Sequence, residues 1–270
     1  MPKILMAILN ARLMRVVEDH HILDEAQEGF RPCRSPKRQI AKLLSILEEG
    51  RRTRSRLVVL FLDIVNAFGS INHRALFQIL EAYGLPVADV DLLRRLYEGL
   101  WYSVGNWFGE TAACALRRGT QQGGSLSPVL FNLAIDILHQ IVRASGRGCA
   151  LPGLRQPTGS SAFADDTNLH TMGPDAVPAM KFLLHSISPF LTWIALSANT
   201  KKSFLLAADL STNTVIPAPE IQLHGHISYS SSLPASQIFR PLIGGKWGLY
   251  IRKATAPCAS TEPYVILSTR

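Results

Sequence analysis

Cysteine is scarce and scattered: Cys33, Cys114, Cys149 and Cys258 are the four in 270 residues, and no two stand at CxxC spacing. That excludes a zinc-ribbon or disulfide-scaffold architecture, and the thiols read as free in a reducing compartment. Long apolar runs are missing too. Leu57 to Leu62, as long as any, stops at Asp63, far short of the ~20 residues that a bilayer-spanning helix needs. Ile4 to Val17 is apolar but interrupted by Arg12 and Arg15, which argues against a secretory signal. The expected setting is intracellular, nuclear or cytoplasmic, with no membrane partner. Acid is the sparser charge, with 20 Asp and Glu against 28 Lys and Arg, a net charge of +8. No internal repeat is present.

The basic excess is concentrated. Residues 31–56 hold Arg31, Arg34, Lys37, Arg38, Lys42, Arg51, Arg52, Arg54 and Arg56 against only Glu48 and Glu49. Such a run suits a polyanion such as nucleic acid, and equally suits a solvated helix face followed by a solvated loop.

Apolar periodicity lays out the elements. Ile4, Leu5, Ile8, Leu9 and Leu13 recur at helical spacing. Ser35 is placed to cap a second helix carrying Ile40, Leu43, Leu44 and Leu47, which Gly50 would end. LVVLFLD, residues 57–63, reads as a strand buried on both faces. Two helices follow, around Leu76 to Tyr83 and Leu92 to Leu100. Residues 101–117 read as a hairpin turning near Gly109. The glycine-rich QQGGSLSP runs into a long helix through Val129, Leu133 and Ile141. Residues 160–171 form two strands joined by an Asp165–Asp166 tip, then come a helix over 177–194 and a strand from Lys202 to Ala207. This order predicts an α+β fold, an antiparallel sheet backed by helices.

In that layout Asp63 at a strand end lies near a turn bearing Asp165 and Asp166. Neighbouring carboxylates repel unless a cation joins them, and two Mg²⁺ ions about 4 Å apart suit them for phosphoryl transfer. Taken singly, an Asp–Asp turn is as well explained by solvent exposure.

The context sharpens this. In order the chain carries QEGFR (27–31), FLDIVNAFGSI (61–71), GTQQGGSLSPVLFN (119–132), FADD (163–166) and LSANTKKS (196–203). These resemble the successive blocks of non-LTR (LINE-like) retrotransposon reverse transcriptases, written QxGFR, LDxxxAFDxV, GxxQGxxLSPxLFN, FADD and NxxK. The resemblance covers roughly residues 4–206. It implies an RNA-directed DNA polymerase with a right-hand palm, partial fingers over 1–56, palm with inserted fingers elements over 57–208, and a degenerate primer-grip region over 209–270. It implies an RNA template, a DNA primer and dNTP as partners, and two Mg²⁺ ions, or Mn²⁺, as cofactor.

Residue by residue, Asp63, Asp165 and Asp166 match the metal-binding and catalytic carboxylates. Lys202 matches the lysine that protonates the leaving pyrophosphate. Ile64, Phe68, Gln122 and Gly123 match nucleotide-binding positions, Phe68 being the ring that excludes a 2′-hydroxyl. Arg31, Arg34, Lys37 and Arg38 fall where template phosphates are contacted. The chain departs from the pattern at Gly69, where the family has aspartate, and at Gln121, Gly124 and Ser125. FRPLIGG (239–245) resembles a corrupted primer-grip block, and no thumb is recognisable, so an incomplete copy is expected. A binding-only remnant of the family is the second reading. A group II intron maturase is the third, disfavoured by the FADD tip.

Overall fold

The computed structural model describes residues 2–121, 123–216, 223, 239–242, 246–251 and 265–266. Its centre is β1 (Arg56–Leu62), which pairs antiparallel with β7 (Asp166–Met172) on one side and β8 (Phe204–Asp209) on the other. With β6 (Ser160–Phe163) and β9 (Thr214–Val215) they make a five-stranded sheet of order β6-β7-β1-β8-β9. All of its pairings are antiparallel.

Alternate β1 residues serve opposite faces, as a pleated strand requires. Val58, Leu60 and Leu62 join the larger core, with Leu130, Leu133 and Leu138 of α6 (Ser127–Ala144) and Leu183, Leu184 and Ile187 of α7 (Ala176–Trp193). Leu57 and Val59 face the other way, against Leu43, Ile46 and Leu47 of α2 (Pro36–Arg52). A strand so covered needs apolar residues throughout, and it has them. Around the larger core lie α1 (Pro2–Asp19), the short α3 (Ala67–Ser70), α4 (His73–Ala82) and α5 (Val87–Glu98). Two short ribbons follow α5: β2 (Trp101–Tyr102) with β5 (Cys114–Ala115), and β3 (Gly105–Asn106) with β4 (Gly109–Glu110). Further on, β10 (Phe239–Leu242), β11 (Lys246–Ile251) and β12 (Val265–Ile266) pair among themselves. The first four residues of the FRPLIGG block form β10, and 243–245 lie outside the described residues.

Four sequence expectations need correcting. Gly50 does not end α2, which runs on to Arg52. A Cβ at Gly50 would meet Leu210 Cδ1 at 2.5 Å and Met172 Sδ at 3.3 Å, so glycine there makes room for packing against the sheet. Thr53, whose hydroxyl donates to Glu49 O, closes the helix instead. Ser35 does hold the N-cap position, but its hydroxyl makes no capping bond; Pro36, lacking an N–H, removes one of the donors to be capped. The 101–117 hairpin turns at Trp107–Phe108, since Asn106 pairs with Gly109. The acidic tip likewise shifts by one: Phe163 pairs with Asp166, so the turn is Ala164–Asp165 and Asp166 opens β7.

Candidate active site

The β1–β7 register fixes the acidic end of the sheet. Leu62 pairs with Thr167, and one further step sets Asp63 opposite Asp166, with Asp165 next to it on the turn. Asp63 and Asp165 are half-buried and Asp166 is exposed. The backbone of Asp63 is held from both sides by the LSANTKKS block. Its N–H donates to Ser203 Oγ (3.0 Å), and its carbonyl accepts from Asn199 N (2.8 Å). Val65 N donates to Ser197 O (2.9 Å). Lys202 is exposed in the turn that precedes β8, not in the strand; its N–H bonds to Asn199 O (3.2 Å), so this turn is tied to the Asp63 end of β1. Sequence reasoning missed this bracing of Asp63 by Ser203 and Asn199, because it runs through backbone groups of residues far apart in the chain, 140 positions in the case of Ser203.

Phe68 lies in α3, shortly after Asp63 in the chain. Its ring stacks on Phe131 (centroids 4.3 Å apart, 22° between planes) and meets Phe30 edge-on at 6.0 Å. Its carbonyl accepts from Thr120 N (2.7 Å), which ties α3 to the loop leading into α6. Gly69 fits tightly: a Cβ there would fall 2.4 Å from the Asn66 amide, and a Cβ on Gly119 would fall 2.5 Å from Gly69 Cα. An aspartate at 69 would therefore have to displace the Asn66 side chain. Gly123 has φ 75° with open space about it, so backbone conformation rather than crowding requires glycine there. Gln122 lies outside the described residues. The Ile64 side chain is buried in the main core, which leaves only its backbone for a nucleotide.

The four basic residues expected at template phosphates divide sharply. Arg31 is a correction: its side chain is 1% exposed, and its guanidinium grips Glu18 at 2.8 and 3.0 Å and donates to the carbonyls of Asp24 and Gln27. Arg34 is mostly covered and forks onto Glu25 at 2.7 and 3.0 Å, an interaction that holds the Glu25 carboxyl below its ordinary pKa. Arg38 is half-exposed beside Glu28 at 3.3 Å. Lys37 is exposed. Further along the run, Arg52 pairs with Glu49 and Arg56 with Asp209, while Lys42 is half-buried with its ammonium donating to Ser160 O. Much of the basic run is thus neutralised within the fold.

Away from the acidic end, His170 lies opposite Val59 at mid-sheet, and His139, Cys149 and Lys42 are also wholly or partly buried. Desolvation lowers His139 and pushes His170 down to about 3, and it lowers Lys42 as well. Burial pushes the Cys149 thiol up to about 12, which makes it unreactive. These groups are structural.

Among the described residues no three His, Cys, Asp or Glu side chains converge on a metal position. The donor set at the sheet end is nonetheless all carboxylate. Mg²⁺ is commonly held by one or two carboxylates, with substrate phosphates and water completing its shell. Asp63, Asp165 and Asp166 fit Mg²⁺ or Mn²⁺ in that sense, as part of a shell rather than a complete cage.

Comparison with known proteins agrees with this architecture. The family profile described as "Reverse transcriptase (RNA-dependent DNA polymerase)" matches residues 1–227. A Pol polyprotein from the retrotransposable element R2DM of Drosophila melanogaster is 30% identical over 208 residues, covering 75% of this chain and 19% of that protein. One from the element R2 of Bradysia coprophila is 28% identical over 194 residues, covering 72% of this chain and 22% of that protein. The chain therefore spans about a fifth of the length of these relatives. Telomerase from Candida tropicalis, solved with a fragment of telomeric RNA, superposes with a TM-score of 0.54 at 12% identity, over 73% of this chain and 33% of that one. Telomerase from Candida albicans gives 0.54 at 13% identity, over 82% and 38%. At such identities the likeness concerns the fold: helices and an antiparallel sheet, as in the palm and part of the fingers. The profile spans most of the chain, and the chain belongs to the reverse transcriptase family, as a reverse transcriptase domain of the non-LTR retrotransposon kind.

Proposed function

We propose that this chain carries the nucleotidyl-transfer centre of a retrotransposon RNA-directed DNA polymerase, adding dNTP to the 3′-hydroxyl of a DNA primer on an RNA template. The observation that carries the proposal is the strand register that sets Asp63, Asp165 and Asp166 at one end of adjacent strands. The resemblance of the FLDIVNAFGSI and FADD blocks to the family's motifs assigns that end to metal binding. Bound there, two divalent cations would activate the attacking hydroxyl and stabilise the leaving pyrophosphate.

The chain's own groups do the rest. Phe68, fixed between Phe131 and Phe30, presents an apolar face that excludes a 2′-hydroxyl without offering it a hydrogen bond. Gly123 and the backbone of Ile64 line the nucleotide position, and Gln122 is assigned there by its motif. Lys202, on the turn tied to Asp63, supplies a proton to the departing pyrophosphate. Lys37 and Arg38 present charge to the template backbone, which they hold without reading sequence. Residues 1–56 serve as fingers and 57–208 as palm.

The test is single-nucleotide addition to a preformed RNA-template/DNA-primer duplex by residues 1–270, with Mn²⁺ binding measured alongside. Asp63→Asn and Asp165→Asn should each lower addition at least about a hundredfold, since a catalytic cation supplies several kcal/mol. Addition unaffected by either variant refutes the proposal. The binding-only remnant, favoured by Gly69 in place of the family's aspartate, predicts duplex binding with no addition by any variant.

A further inference from the structure

Asp165 sits on a two-residue turn whose other member, Ala164, has φ 59°. Side chains bearing a Cβ disfavour that left-handed conformation, so something must hold it. What holds it comes from far away in sequence. Gln27 is fully buried, and its carboxamide brackets the backbone of Ala164: Nε2 donates to Ala164 O (3.0 Å) and Oε1 accepts from Ala164 N (2.9 Å). The same Oε1 accepts from Gly29 N at 2.8 Å. Asn132 of α6 donates from Nδ2 to Gly29 O at 2.7 Å. Gly29 also lies so close to the turn that a Cβ on it would fall 2.1 Å from Ala164 N. The backbone around Gln27 is itself docked on β6, since Glu28 N donates to Ala162 O (2.8 Å) and Ala162 N to Ala26 O (2.7 Å).

Three blocks far apart in sequence therefore meet in one relay, Asn132 to Gly29 to Gln27 to Ala164. We propose that Gln27 is a positioning residue: a latch that holds the Ala164–Asp165 turn in its strained conformation and so aims Asp165, with Gly29 and Asn132 as its supports. The chemistry selects glutamine. A carboxamide offers both a donor and an acceptor to the N–H and C=O of a single residue. Methionine has the same reach and offers neither in comparable strength. Buried backbone groups left without these partners would open the turn to water.

The latch is a statement about the turn, and only its consequence for metal binding rests on the proposed function. The experiment uses residues 1–270 as wild type, Gln27→Ala, Gln27→Met and Gln27→Ala/Ala164→Gly. Amide hydrogen exchange is followed at Ala164 and Gly29, with Val58 and Leu60 of β1 as internal controls, and Mn²⁺ affinity is titrated in parallel. Exchange at Ala164 and Gly29 should accelerate at least roughly tenfold in Gln27→Ala while the β1 amides do not change. Gln27→Met, which keeps the volume and so folds if Gln27→Ala does not, should behave alike. Mn²⁺ affinity should fall with each single change and recover in part in the double variant, because glycine adopts positive φ freely. A merely structural loss would not be rescued by an added glycine. Unchanged exchange at Ala164, or acceleration shared equally by β1, overturns the latch. If wild type binds no Mn²⁺, the metal assignment falls and the exchange result still decides the latch.

Discussion

Arg31 offers the sharpest contrast between a residue's motif and its place in the fold, and Arg31→Ala tests it. The Arg31 side chain is 1% exposed and that of Glu18 23%, and four hydrogen bonds at 2.8 to 3.2 Å connect Arg31 to Glu18, Asp24 O and Gln27 O. Removing one partner of a buried pair costs about 3–5 kcal/mol, because the other charge is left uncompensated. Partial exposure lets water recover some of that for Glu18, so about 3 kcal/mol is expected. In a domain of this size that lowers the melting temperature by roughly 6–12 °C. Arg31→Lys should rescue little, since one ammonium cannot fork onto a carboxylate. Nucleic-acid binding should tell the opposite story. Arg31→Ala should leave the slope of log affinity against log salt unchanged in protein that remains folded. Lys37→Ala should reduce that slope by about 1 and alter stability by less than about 0.5 kcal/mol. Urea unfolding, thermal melts and a salt series read all three. An Arg31→Ala protein as stable as wild type, with a slope reduced by about 1, would show that Arg31 meets phosphate and that the internal ion pair is dispensable.

Stability should also fall in mild acid. His170 is fully buried with its pKa lowered to about 3, so below about 6.5 the unfolded chain takes up a proton that the folded chain refuses. The resulting loss grows by about 1.4 kcal/mol per pH unit as pH falls from about 6.5 toward 3, and His170→Phe should flatten that slope in equilibrium unfolding; an unchanged slope would assign it elsewhere. Two glycines with positive φ should respond differently to alanine. Gly123→Ala has open space and should cost about 1 kcal/mol of backbone strain, whereas Gly119→Ala adds a 2.5 Å clash with Gly69 Cα and should cost distinctly more in urea unfolding. Equal costs would mean that the α3 segment yields. Phe68→Val in an active complete relative should raise ribonucleotide over deoxyribonucleotide incorporation, and unchanged selectivity in an active enzyme would reduce Phe68 to packing.

Much of this protein is legible in its sequence alone. The unbroken apolar run of β1, the helical spacing in α1, α4, α5 and α6, and the ordered motif blocks each follow from neighbours within a few residues, where period and turn chemistry act. They are enough for an α+β fold and for the family. Tertiary structure decides what depends on distant partners. Gly50 reads as a helix stop until Leu210 and Met172 are found where its side chain would be. Arg31 and Arg34 read as template contacts until Glu18 and Glu25 are found neutralising them. Gln27 has a motif but no role in the sequence, because its partner lies 137 residues away. Local sequence sets which backbone conformations are cheap. Which charges remain available, and which strained turn is held, is set by groups that only folding brings within hydrogen-bonding distance.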